Sequence, residues 1–220
     1  MSTKHFKSIL NPVECFYKEK ASKFIGCAFP LLDLEDWQVC LNHVRSFHPK
    51  ATHHCYAFRS GQDGEFYRAN DDGEPSGSAG RPILGQIDSL SLNHVLVVVV
   101  RYFGGTKLGV PGLIHAYKET ARLALEGATI IIRYYKHSCM ISLPYLLVPD
   151  LMNLGKDFQW ELCEQSYLED YQIINFSVRS EDWEEFERAV HVKIGGIYPD
   201  NWDKGDRSNL FKMNVISKNV

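Results

Sequence analysis

Three short stretches hold most of the side chains able to do chemistry. The first is the adjacent pair His53-His54. The second is "DDGEPSGSAG" (71–80), with Asp71, Asp72 and Glu74 close together and Arg81 just behind. The third is "RYFGGTKLGVPGL" (101–113), in which Gly104, Gly105 and Gly109 surround Lys107, and Arg101, Tyr102 and Phe103 precede them. Glycines before a helix let backbone N–H groups approach an anion, and the helix macrodipole favours negative charge there. Gly104 to Gly109 fits G-x-x-x-x-G, but Val110 and Pro111 stand where a P-loop needs Lys and Ser/Thr. G-x-G-x-x-G is absent too, which argues against nucleotide hydrolysis by either device. Basic Arg101, Lys107 and Lys118, interleaved with Tyr102, Phe103 and Tyr117, suit a sugar-phosphate backbone with some base stacking. The alternative is a plain strand-to-helix crossover, since Gly and Pro punctuate turns.

The acidic stretch offers oxygen ligands for Mg²⁺ or Ca²⁺ through Asp71, Asp72 and Glu74, although the EF-hand spacing is missing. Ser76 and Ser78 lie outside G-x-S-x-G, so a serine nucleophile has no support. "SGSAG" followed by Arg81 reads instead as a second anion-accepting segment that includes Ser76. Adjacent residues of a strand point to opposite faces, so His53 and His54 cannot share one tetrahedral metal. One of them is expected buried and hydrogen-bonded, the other facing the same groove as Arg101.

The elements that must position these groups follow from periodicity. Residues 14–31 read as two strands broken near Lys20–Ser22. Residues 33–49 read as an amphipathic helix capped by Asp33 and stopped by Pro49. Residues 53–60 and 65–71 form a hairpin through "GQDG". A short helix at 81–90 leads to a strand at 94–103, then the glycine loop, then a helix from Pro111 to Glu126. Beyond Gly127–Tyr135 the reading is strand 136–143, helix 148–156, strands 159–168 and 171–179, helix 181–193 capped by Ser180, and a last strand near 209–216. That β-α-β-β-α-β order suggests a ferredoxin-like sandwich. The first residues look like a short arm.

A chain of 220 residues, 45% hydrophobic, is long enough for two packed domains. The boundaries expected are 1–134 and 135–220. The first segment carries 15 Lys+Arg against 13 Asp+Glu, the second 9 against 14, so a near-neutral first part and an acidic second part suggest different surfaces. No run approaches the length of a membrane span; "VLVVVV" (95–100) is strand length. The N-terminus lacks the apolar core of a signal peptide, so a cytoplasmic location is expected. Six scattered cysteines with no CxxC argue for reduced thiols rather than zinc or disulfides.

"KATHHCYAFR" (50–59), "DDGEPSGSAGRPILG" (71–85) and "VVVVRYFGGTKLGVPGLIHAY" (97–117), in that order, resemble the signature of the IMPACT/YigZ family over about residues 13–128. The resemblance implies an α+β chain. Its N-terminal domain would be like the second domain of ribosomal small-subunit protein five, and its C-terminal domain ferredoxin-like, similar to the last domain of elongation factor G. It implies a non-enzymatic, translation-associated role with RNA, the ribosome or a translation-related protein as partner; the C-terminal domain is a candidate protein-binding module. No cofactor and no membrane partner are implied. The alternative is a metal-dependent enzyme acting on a phosphorylated or nucleotide-like small molecule. The matched positions are His53 and His54, the loop from Asp71 through Gly77, and Arg101 through Gly109. The family's Ala-Gly-Gly-Leu-Val-Arg-Ala-Tyr reads Val110-Pro111-Gly112-Leu113-Ile114-His115-Ala116-Tyr117 here, so a fixed positive charge is replaced by His115. The candidate anion site is therefore His53, His54, Ser76, Arg81, Arg101, Tyr102, Gly104, Gly105, Lys107, Gly109 and Lys118, with Asp71, Asp72 and Glu74 as a candidate acidic site.

Overall fold

A computed structural model describes residues 5–219, with side chains described through residue 217. The chain divides into two compact α+β units, 1–133 and 134–220.

In the first unit a five-stranded antiparallel sheet has the order β2-β3-β6-β4-β5, with β2 Val13–Glu19, β3 Ser22–Pro30, β4 His53–Ser60, β5 Phe66–Asn70 and β6 Val95–Tyr102. The valine-rich β6 is central and almost wholly buried, as a strand covered on both faces must be. Its alternation sorts the core. Val95, Val97 and Val99 pack with Ile83 and Ile87 of α2 (Gly80–Ser89) and Leu113 and Tyr117 of α3 (Gly109–Glu126). Leu96, Val98 and Val100 pack with Leu41 and Val44 of α1 (Asp36–Phe47) on the opposite face.

The second unit follows the β-α-β-β-α-β order: β8 Lys136–Pro144, α4 Val148–Asp157, β9 Glu161–Tyr167, β10 Tyr171–Arg179, α5 Trp183–Ala189 and β11 Lys212–Asn219. Its antiparallel sheet runs β11-β8-β10-β9, so the first and third of its strands lie at the centre, the ferredoxin-like arrangement. Cys139, Ile141 and Leu143 of β8 join Ile174, Phe176 and Val178 of β10 under Leu151, Leu154 and Phe186 of the helices. All six cysteines are free thiols. Among the described residues no helix is long and apolar enough to cross a membrane.

Several local expectations need correction. The N-terminal segment is no arm over residues 5–9: β1 (His5–Ile9) pairs with β7 (Ile130–Tyr134), a strand too short and too exposed to show a period. Helix α1 begins at Asp36 rather than Asp33. Asp33 is linked to it by a reciprocal pair of bonds, its N–H donating to the Asp36 carboxylate at 3.0 Å and its carbonyl accepting from the Asp36 N–H at 3.2 Å. Ser180 does not cap α5, which starts three residues later; its N–H donates to the Tyr135 carbonyl at 2.7 Å. Helix α5 ends in a π-helical turn at 190–194, and a short helix α6 (Pro199–Asp203) follows.

Two glycines of α2 should respond in opposite directions to the same change. A Cβ at Gly80 would run into the backbone of Ala69 and Asn70, whereas one at Gly85 would meet open space. Gly80→Ala should lower stability by about 1–3 kcal/mol through overpacking. Gly85→Ala should raise it by roughly 0.5–1 kcal/mol by removing a flexible residue from a helix interior. Urea denaturation of the two variants checks both signs.

Candidate functional site

The acidic loop lies where the end of the β4–β5 hairpin turns toward α2, and it is held by its own carboxylates. Asp71 accepts the N–H groups of Gly77, Ala79 and Gly80 at 2.8, 2.9 and 2.8 Å. It thereby caps α2 from nine residues upstream, satisfying donors that a helix start leaves orphaned. Burial alone would raise its pKa. The three backbone bonds, with the Arg81 charge, bring it below its ordinary 3.8. Asp72 sits at φ +42° between Arg45, 3.5 Å away, and the His54 N–H, which donates to its carboxylate at 2.6 Å. Gly73 and Gly77 take φ +88° and +74°, so the loop turns twice through left-handed backbone.

Glu74 turns inward. Its Oε1 accepts from Arg101 Nη1 at 2.6 Å and from the Tyr117 hydroxyl at 2.8 Å, with both carboxylate and guanidinium buried. Arg101 lies between the Phe24 and Phe103 rings, 5.6 and 5.4 Å from their centroids. Its Nη2 donates weakly to Ser22 Oγ at 3.4 Å, and its Nε is buried without a partner among the described residues. His53 stands opposite Arg101 in the β4–β6 register. Its Nδ1 lies 2.7 Å from the Asp72 carbonyl, which can only accept, so Nδ1 carries the proton. In the neutral ring Nε2 then presents its lone pair toward Glu74, 3.8 Å away. Beneath this cluster, burial pushes the Cys55 thiol and the Tyr117 hydroxyl far up, so the thiol is inert and the phenol remains a donor.

These placements revise the sequence-level site. Arg101 faces inward and is neutralised by Glu74, so it is not an open phosphate ligand. Asp71, Asp72 and Glu74 serve three separate sets of partners and do not converge, and no cluster of metal-ligating side chains occurs among the described residues. His54 lies on the α1 side of the sheet, with Nε2 3.2 Å from the His48 carbonyl and its pKa lowered by burial. Ser76, Arg81, Lys107 and Lys118 remain exposed. The glycine loop is pinned at its start: a side chain at Gly104 would overlap the Ala21 carbonyl, and Gly104 N–H lies 3.4 Å from Ser22 Oγ. Gly105 and Gly109 take φ +84° and +74°.

The same end of the unit carries an open cleft of about 730 Å³ that the motif reading overlooked. Phe16, Lys18, Lys23, His48, Tyr102 and Phe103 line it. Tyr102 is fixed by a 3.0 Å hydrogen bond between its hydroxyl and His48 Nδ1. The signal available beforehand was the spacing of Phe16 and Lys18, two apart on a strand and therefore on one face.

Residues 20–125 match the model of the Impact N-terminal domain. The chain is 33% identical over 152 residues to "IMPACT family member YvyE" of Bacillus subtilis, covering 69% of this chain and 70% of that one. It is 46% identical over 107 residues to "IMPACT family member in pol 5'region" of Thermus thermophilus, with coverage of 49% and 56%. It is 38% identical over 120 residues to "IMPACT family member YigZ" of Escherichia coli, with coverage of 54% and 59%. A crystal structure described only as that of a hypothetical protein superposes with a TM-score of 0.68 at 24% identity, covering 98% of both chains, which is a likeness of fold.

Two outcomes test the geometry. Glu74→Gln leaves the Arg101 charge buried without a counter-charge and should cost about 3–5 kcal/mol. Arg101→Met added to it should recover part of that loss. Strictly additive penalties in urea denaturation would show that the pair is uncoupled. Asp71 is depressed in the folded state, so its stabilisation is complete well above pH 3.8 and fades as pH falls through the folded value. Asp71→Asn should therefore lower stability by about 1 kcal/mol at neutral pH and give a shallower acid limb in thermal melts.

Proposed function

Because the chain belongs to the IMPACT family, we propose that it acts by binding rather than by making or breaking bonds, as a translation-associated factor that holds RNA. The observation that carries this reading is the set of lysines at one end of the first unit. Lys18 and Lys23 flank the β2–β3 turn, Lys20 sits in it, and Lys107 lies in the adjoining glycine loop. All four are exposed, and none forms an ion pair among the described residues. Phe103 and Tyr102 stand beside them at the mouth of the cleft. Unpaired cations next to flat rings suit phosphate contact with base contact alongside. The internal use of Asp71, Asp72 and Glu74 supports binding over metal-assisted catalysis.

Four phosphate contacts to a single strand correspond to a salt slope of about −3. Affinity should thus be modest and fall steeply above physiological salt. Lys107→Ala should weaken RNA or ribosome binding and reduce the slope by roughly 0.7–1. Identical affinity and slope for variant and wild type across a salt series would remove the glycine loop from the binding surface.

A further inference from the structure

Helix α1 covers only part of its face of the first sheet. Leu41 and Val44 share one buried cluster with Ile25, Cys27, Tyr56, Phe58, Leu96, Val98 and Val100, whereas Glu14, Phe16 and Lys18 of β2 on the same face are exposed. On that open side Phe16 is 71% exposed. Cross-strand register orders what lies there. One row across three strands reads Lys18, Lys23, Tyr102, and the next reads Phe16, Ile25, Val100. The 730 Å³ cleft over these rows shares His48 with a second cavity of about 470 Å³. The second runs along α1 past His43 and Phe47 and carries one carboxylate, Glu14.

We propose that this open sheet face is a base-stacking site for single-stranded RNA, with Phe16 and Phe103 as stacking surfaces and Lys18 and Lys23 as phosphate contacts. The assignment rests on the RNA reading above and narrows it to a strand class and a place. Two observations carry it. Lys18 and Lys23 are directly opposite each other, a like-charge pair that costs stability in a free sheet and that an anion between them would relieve. Phe16 is an aromatic ring with no covering element, on the same face and one row away from that pair. Rings beside cations on a sheet surface accept splayed bases of any sequence. Bases stacked inside a duplex cannot present their faces, so duplex RNA gains only the phosphate contacts. Glu14 places the phosphate track at the lysine end rather than along α1.

The test is fluorescence anisotropy with a labelled unstructured RNA oligonucleotide and with an RNA hairpin of equal length, at low salt. Wild type should bind the single strand at least tenfold more tightly. Phe16→Ala should weaken single-strand binding about tenfold with an unchanged salt slope and unchanged duplex affinity; Phe16→Leu, which keeps apolar area without a ring face, should fall between. Lys23→Ala should reduce the slope for both RNAs. Binding of neither RNA by wild type would overturn this site and the RNA reading together. RNA binding that is insensitive to Phe16→Ala yet weakened by Lys107→Ala would overturn this site alone. Loss of ribosome co-sedimentation in Phe16→Ala with oligonucleotide affinity intact would assign the face to a protein partner. A concentration-dependent dimer abolished by the same change would assign it to a second copy. Either result overturns the proposal.

Discussion

The buried ion pair between Arg101 and Glu74 is the constraint on which the first unit's functional end depends. A guanidinium placed beneath two helices requires a carboxylate, because removing one partner strands the other's charge away from water. Glu74 meets that need only if the 71–80 loop folds inward. The turn is made possible by left-handed backbone at Asp72 and Gly73 and by the carboxylate of Asp71 collecting three N–H groups. Tyr117 of α3 and His53 of β4 close around the same carboxylate. Three segments distant in sequence, the 71–80 loop, β6 and α3, are thus fixed by a single charge, and the glycine loop leaves β6 from a held base.

The side chains that look most reactive are therefore the ones most committed to structure. Asp71, Glu74, His53, Cys55 and Tyr117 each bond to partners within the fold, while Lys18, Lys23, Phe16 and Phe103 face solvent. Affinity for an anionic strand depends on unpaired charge and bare apolar rings, and the cleft offers those. In this unit the dense polar motif is built into the fold, and the exposed cations and rings belong to the plainer residues of an edge hairpin and of the segment after β6.

Much of the architecture was legible in the chain. Helical spacing of Trp37, Cys40, Leu41, Val44 and Phe47 marked α1, although Phe47 is exposed in the fold; "VLVVVV" marked a strand without showing that it is central; and the β-α-β-β-α-β order of the second unit followed from its elements. What failed was the orientation of Arg101. Residues 95, 97 and 99 face α2 and α3 and Arg101 continues that row, while Tyr102 continues the row of 96, 98 and 100 that faces α1. Both rows of "VLVVVV" are buried, so alternation puts Arg101 and Tyr102 on opposite faces without saying which face closes over the arginine. Other features could not be read from one strand at a time. The Lys18–Lys23 juxtaposition exists only once register is set, and β7 is too short to carry a pattern. The Asp71 cap spans nine residues, beyond any local capping signature.

The cap has one more consequence. Segments without regular secondary structure usually exchange their amide protons quickly, since water reaches them without any opening of the fold. The amides of Gly77, Ala79 and Gly80 point instead into a carboxylate, and that of Glu74 into the Asp71 carbonyl at 2.9 Å. Their protons can leave only when Asp71 lets go of the helix it caps. In a deuterium-exchange map this stretch would then share the protection of α2 rather than that of the neighbouring turns, and it would resist proteases that cut ordinary glycine- and serine-rich loops.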